Sequence, residues 1–214
     1  MSEEQICLKF VDVTEDNELI FEVTPCGGDE EDDELQSDDF NRCDSGPICK
    51  IIRNGRKQIL MLDNAELIFQ DRTVMESKSE TNTFKIQKYR STESSPTKHK
   101  GIPVTVQVTK DYITYTIACV EEGNSKKVSL KKESIPTNIK SNSYDVIFHL
   151  KSVPHLAGIY QFESAKWDQW FLACEKQTNP ELYKLTVKQI GTDEVDSNTE
   201  HSHLTIEDET GNTS

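Results

Sequence analysis

An all-β barrel or sandwich is the fold class this sequence predicts. Three observations predict it: short apolar runs that alternate with polar residues, turn residues that separate those runs roughly every 8 to 15 positions, and the lack of a long amphipathic helical pattern. Taken in order, residues 6–26 hold two apolar runs, ICLKFVDV and ELIFEVTPC, on either side of Thr14-Glu15-Asp16-Asn17, and read as a β-hairpin. Residues 27–38 are glycine and acid with almost nothing to bury, and read as an exposed linker.

From Ile48 onward the strand-like runs are Ile48 to Ile52, Gln58 to Leu62, Glu66 to Phe69, Phe84 to Tyr89, Ile102 to Thr109 and Tyr112 to Val120. Lys126 to Leu130, Val146 to Leu150, Ile159 to Phe162, Gln169 to Cys174, Leu182 to Lys188 and Leu204 to Ile206 follow. Asn54-Gly55 after the first run is a strong turn dipeptide, and Ser91 to Gly101 reads as an exposed loop. This divides the chain into an acidic N-terminal segment 1–38, a β domain 39–190, and an acidic tail 191–214 with a last strand near 204–206.

The stretch Phe162 to Lys188 carries the clearest pattern. Its second apolar run alternates, with Leu185 and Val187 opposite Lys184 and Thr186, and Asn179-Pro180 supplies a turn before it. Phe171, Leu172, Cys174, Leu185 and Val187 are the predicted core residues of this hairpin.

Charge is unevenly spread. The 214 residues sum to a net charge of -14. Of 38 acids, 14 lie in residues 1–38 beside a single base, and 7 lie in 191–214 with none. The 152 residues between hold 17 acids against 23 bases, so an acidic whole conceals a basic centre. The lysines are scattered and no aromatic-rich RNA-binding motif interleaves with them, which argues against nucleic acid as a partner. No run approaches the roughly 18 apolar residues of a spanning helix, so no membrane insertion is expected. MSEEQICLKF has no basic then apolar leader pattern, and the expectation is synthesis in the cytosol.

No catalytic constellation stands out. There is no Gly-rich phosphate loop, no GxSxG and no HExxH, so no enzyme is expected. The five histidines do not combine with cysteines at ligand spacing, His201 and His203 read as solvated tail residues, and neither a metal nor a cofactor is expected. Among the six cysteines, Cys119 and Cys174 lie in apolar runs and read as buried small hydrophobes. Cys43 and Cys49 flank Gly46-Pro47; a cytosolic origin favours free thiols, while export would leave a disulfide between them open.

The motifs also carry a resemblance. Phe162-x-Ser164, then Phe171-Leu172-Ala173, then the aliphatic Leu182 resemble the C-terminal signature of the interleukin-1 cytokine family. FES, FLACEK and LYKL are similar to its interleukin-18 branch in particular, and Asp168 and Cys174, which depart from the general family pattern, fit that branch. Further similar segments are Ile51-Ile52-Arg53-Asn54, Gly101-x-Pro103-Val104, Asn138-Ile139-Lys140, Asp145-Val146-Ile147-Phe148 and Lys151-Ser152-Val153-Pro154, so that the resemblance spans roughly residues 35 to 190.

The resemblance implies a β-trefoil of about twelve short strands with a capped six-stranded barrel, preceded by an acidic propeptide. It implies a monomeric pro-inflammatory cytokine, cytoplasmic as precursor and secreted by a signal-peptide-independent route, that induces interferon-γ through immunoglobulin-like receptors. Leu35-Gln36-Ser37-Asp38, followed by Asp39, resembles the family's processing tetrapeptide, which implies a caspase-1-like protease cutting after Asp38. For the ligand-binding receptor chain it implies Arg53, Lys100, Ile102, Lys151 and Glu181, and for the accessory chain Lys126, Lys131 and Asp145. A soluble interleukin-18-binding protein is a further implied partner. Lys57 and Arg72 depart from the family pattern, where acidic and apolar residues are usual. The alternative reading is a non-signalling trefoil module that binds heparin or a glycan, and a trefoil protease inhibitor lacks the disulfide-braced loop it would need.

Overall fold

The computed structural model describes residues 6–13, 19–25, 40–72, 79–92, 101–123, 125–132, 136–178, 182–191 and 197–208. The chain forms two compact units, residues 1–36 and 37–214. In the first, β1 (Ile6–Val13) and β2 (Leu19–Pro25) pair antiparallel from Ile6 opposite Pro25 to Val13 opposite Leu19, with a bulge between Phe10 and Asp12.

In the second unit, a three-residue β3 (Phe40–Arg42) precedes β4 (Ile48–Arg53), β5 (Ile59–Asp63), β6 (Glu66–Gln70) and β7 (Phe84–Ser91). Next come β8 (Ile102–Lys110), β9 (Ile113–Glu122), β10 (Ser125–Lys131), the two-residue β11 (Asn138–Ile139) and a 3-10 helix (Ser141–Val146). The order ends with β12 (Phe148–Ser152), β13 (Ile159–Ser164), β14 (Trp170–Lys176), β15 (Tyr183–Gln189), a short α1 (Ser197–Glu200) and β16 (Leu204–Glu207).

Pairing closes six of these strands into a ring: β4 with β7, β7 with β8, β8 with β12, β12 with β13, β13 with β16, and β16 back to β4. The hairpins β5–β6, β9–β10 and β14–β15 hang from the ring. Strand, hairpin, strand therefore repeats three times along the chain, which is the β-trefoil arrangement. Each of the twelve strand-like runs read from Ile48 onward corresponds to one of these twelve strands.

Alternation explains the core. Ile52, Phe84, Ile86, Val104, Val106, Val108, Phe148, Phe162, Leu204 and Ile206 come from the ring, while Leu60, Leu62, Phe69, Ile117, Cys119, Leu172, Cys174, Leu185 and Val187 come from the hairpins. In the hairpin of β14 and β15, Leu172 lies opposite Val187 and Cys174 opposite Leu185, and all the core residues expected there are buried. A smaller cluster of Phe40, Tyr89, Ala118, Ile139, Val146 and Ile147 sits where β3 pairs with β7 and β11. There the Phe40 ring meets Tyr144 edge-on at 4.8 Å, and burial pushes the Tyr89 hydroxyl up to about 12 while it donates to the Pro136 carbonyl. Strands of two and three residues are too short for a period of two to appear, which is why β3 and β11 escape a sequence reading.

The C-terminal region differs from expectation. A boundary at residue 190 leaves β16 outside the domain, yet β16 is buried along its whole length, with Thr205 opposite both Ile159 and Arg53. His203 is likewise no solvated tail residue: its Nε2 is buried without a partner among the described residues, and burial lowers its pKa while Glu200 pulls it up.

The register also decides the cysteine question. The Cys43 N–H donates to the Lys88 carbonyl, whereas Cys49 lies opposite Lys85. Three residues along β7 separate the two positions by about 10 Å and place them on opposite faces. A disulfide needs Cα atoms within about 7 Å, and both thiols are free.

Two predictions follow from this architecture. Gly101 has φ +93°, and a Cβ there would stand 2.6 Å from the Leu150 carbonyl oxygen, a backbone atom that cannot yield. Gly101→Ala is expected to lower unfolding stability by about 2–3 kcal/mol in urea titrations. For His203, the unfolded chain takes up a proton near pH 6.5 that the folded one resists, so its contribution is present above about pH 6.5 and is lost as pH falls through the lowered folded value. His203→Asn is expected to flatten the loss of stability between about pH 7 and pH 5, measured by denaturant titration at each pH.

Candidate functional site

The loop that follows β4 is built around one side chain. Asn54 is buried; its Oδ1 accepts from the backbone N–H groups of Arg56 and Gln58, both at 3.0 Å, and its Nδ2 donates to Gln58 Oε1 at 2.9 Å and Cys174 Sγ at 3.4 Å. Asparagine readily closes its own turn in this way. The positive φ falls at Lys57 (67°) rather than at Gly55, so the Asn54-Gly55 dipeptide works through its asparagine. Burial pushes the Cys174 thiol up, opposed by its bond from Asn54, and the sulfur stays a neutral acceptor at the base of the loop.

This loop fixes Arg53. Its Nε donates to Glu207 Oε2 at 2.7 Å and its Nη1 to the Lys57 carbonyl at 2.8 Å. Three residues back and on the other face of β4, Lys50 Nζ meets Asp208 Oδ1 at 2.6 Å, so two ion pairs stitch β4 to the end of β16. Arg56 lies 5.1 Å over the Tyr183 ring, a cation–π contact that orients the loop's second arginine. Arg53 thus presents a fixed guanidinium at the surface.

Ile102 stands where β8 begins and Lys151 where β12 ends. Ile102 pairs with Leu150 and is 47% exposed, a large apolar side chain at the surface on the face that Leu150 occupies, opposite to that of Lys151. Lys151 Nζ meets Glu163 Oε2 at 2.5 Å and lies 5.9 Å from the Phe171 ring. Glu163 is held in turn by the Gln169 N–H at 2.8 Å.

Lys131 and Asp145 also come together, with Nζ to Oδ2 at 2.8 Å, tying β10 to the 3-10 helix. Lys126 is on the same strand but not on the same face. It aligns with Val128 and Leu130, which pack on the main core, and its Nζ sits 3.8 Å over the Trp167 ring and 2.6 Å from Glu121. Lys131, five residues on, points to the other side of the hairpin. Leu35, Gln36, Ser37, Asp38, Asp39, Lys100 and Glu181 lie outside the described residues.

Residue-by-residue sequence reading did not find Trp167, Glu163, Glu207 or Asp208. Each acts by partnering a cation distant in the chain, and only the alternation of Leu204 and Ile206 ahead of Glu207-Asp208 signalled that an acid there would be held beside a sheet.

Asn54→Ala would strand two backbone donors and is expected to cost about 2 kcal/mol, or a drop of about 5 °C in the thermal midpoint. Gly55→Ala, with open space at its Cβ, is expected to stay within about 0.5 kcal/mol of the parent in the same melt.

Comparisons with known proteins agree with this geometry. A family model described as Interleukin-1 / 18 matches residues 74–199. Interleukin-18 of Homo sapiens is 33% identical over 187 residues, covering 86% of this chain and 84% of its own. Interleukin-18 of Mus musculus is 33% identical over 164 residues, covering 75% and 77%. Among solved structures, chicken interleukin 1 beta aligns with a TM-score of 0.56 at 16% identity, over 78% of this chain and 98% of that one. The binding domain of botulinum neurotoxin serotype C1 aligns at 0.52 and 12% identity, over 74% and 42%. At such identities these two show the fold alone. The sequence relatives are cytokines and not enzymes, and with them this chain belongs to the interleukin-1/18 cytokine family.

Proposed function

We propose that this chain is an interleukin-18-type pro-inflammatory cytokine precursor, cut after Asp38 by a caspase-1-like protease to release residues 39–214. The released body docks an immunoglobulin-like receptor pair and induces interferon-γ. What supports the processing step is the tetrapeptide Leu35-Gln36-Ser37-Asp38, which resembles the family's processing site, in a family whose relatives here are interleukin-18 proteins. In this reading Arg53, Lys100, Ile102, Lys151 and Glu181 meet the ligand-binding chain, which a soluble interleukin-18-binding protein competes for. Lys126, Lys131 and Asp145 meet the accessory chain. The precursor is cytoplasmic and the cut form acts outside the cell.

Charge gives the cut a physical effect. Residues 1–38 hold 14 acids and one base, and their loss leaves a less acidic protein that associates faster with an acidic receptor surface. The test is to treat the full chain and its Asp38→Ala variant with caspase-1. Both products are then assayed for receptor binding and for interferon-γ release from cells carrying both receptor chains. Cleavage, binding and release are expected for the parent, and loss of cleavage with at least a tenfold drop in release for Asp38→Ala. Equal release from the uncut variant would overturn the reading.

A further inference from the structure

Between β8 and β9 the chain reverses in two residues, with Lys110 opposite Ile113. Both turn residues are left-handed, Asp111 at φ 51° and Tyr112 at φ 63°. A two-residue turn of this hand is best served by Asn-Gly, and a tyrosine there is strained. Among the described residues nothing covers the tip: Tyr112 is 97% exposed and the next residue, Ile113, is 42% exposed. A strained backbone that displays an uncovered aromatic and an uncovered isoleucine points to a contact made with something else.

We propose that the tip Asp111-Tyr112-Ile113 is a docking point for the accessory receptor chain, with Tyr112 as its anchor. The proposal rests on the receptor reading above. Position selects the chain. Ile102 and Tyr112 stand at opposite ends of β8, whose nine residues span about 30 Å, which puts the tip outside a footprint of standard size centred on Ile102 and Lys151. Lys131 lies opposite Thr116, only four residues from Tyr112, or about 13 Å along β9, while Lys126, opposite Glu121, marks the far end of the same strand about 30 Å away. Chemistry describes the partner surface. Tyr112 and Ile113 follow Lys110 and Asp111, and Lys132 lies 5.8 Å from the neighbouring Tyr115 ring, so the matching surface is an apolar pocket rimmed by charges of both signs.

The test uses the caspase-1-treated full chain and immobilised ectodomains of the two receptor chains. Two variants are compared with the parent, Tyr112→Ala and the double change Asp111→Asn with Tyr112→Gly, which gives the turn its preferred residues. Both are expected to bind the ligand-binding chain within twofold of the parent. Both are expected to recruit the accessory chain to that complex at least tenfold more weakly, and the double variant should melt about 2–4 °C higher. Parent-like recruitment of the accessory chain by both variants overturns the proposal while leaving the receptor reading intact. Failure of the parent itself to bind either chain overturns both. A tenfold loss on both receptor chains also overturns the assignment to the accessory chain.

Discussion

Closure of the barrel by its last strand is the constraint on which the rest of the molecule depends. β16 is four residues long, yet it hydrogen-bonds to β13 on one side and β4 on the other. Without it both neighbours would be sheet edges, and Leu204 and Ile206 would leave Ile52 and Phe162 uncovered. Each hairpin is held by the ring on which it sits, so the positions of Arg53, Ile102 and Lys151 all follow from that closure. The strand is further secured by Glu207 and Asp208, which reach Arg53 and Lys50 across more than 150 residues of chain.

The cations of the candidate site share a second property. Arg53, Lys126, Lys131 and Lys151 are each held by an acid of the same chain, and Lys126 and Lys151 also lie near aromatic rings. Exposed pairs add little to folding stability, and of these four Arg53–Glu207 is mostly buried on both sides. All four share an effect on geometry: a charge already fixed in place loses less freedom when a partner arrives. The neutral thiol of Cys174 takes part in the same ordering through Asn54, which links the buried hairpin to the loop that carries Arg53.

Much of this fold is legible in the sequence because alternation is a local signal. The run Leu182 to Lys188 shows which residues face inward without knowledge of their neighbours in space, whereas in β9 the four consecutive residues Thr116 to Cys119 are all buried. Asn54-Gly55 was legible as a turn, though not the mechanism, since only the structure shows that the asparagine side chain closes it and that Lys57 takes the positive φ. Acidic composition concealed the role of β16, because Glu207 reads as a solvated residue until its arginine partner is placed beside it. Likewise, the separation of Lys126 from Lys131 depends on which face of β10 meets the core. Family resemblance names positions; strand parity decides which of them share a surface.

The seam between β4 and β16 has one more consequence. Glu207 lies opposite Ile51, and the side chain of Asp208 grips that of Lys50, so the first ring strand and the last residues of the barrel are immediate neighbours. A short linker between them, with new ends opened at an exposed turn such as that of Gly55, would give a circular permutant with the same ring of strands. The order in which the chain visits the barrel is therefore separable from the barrel itself.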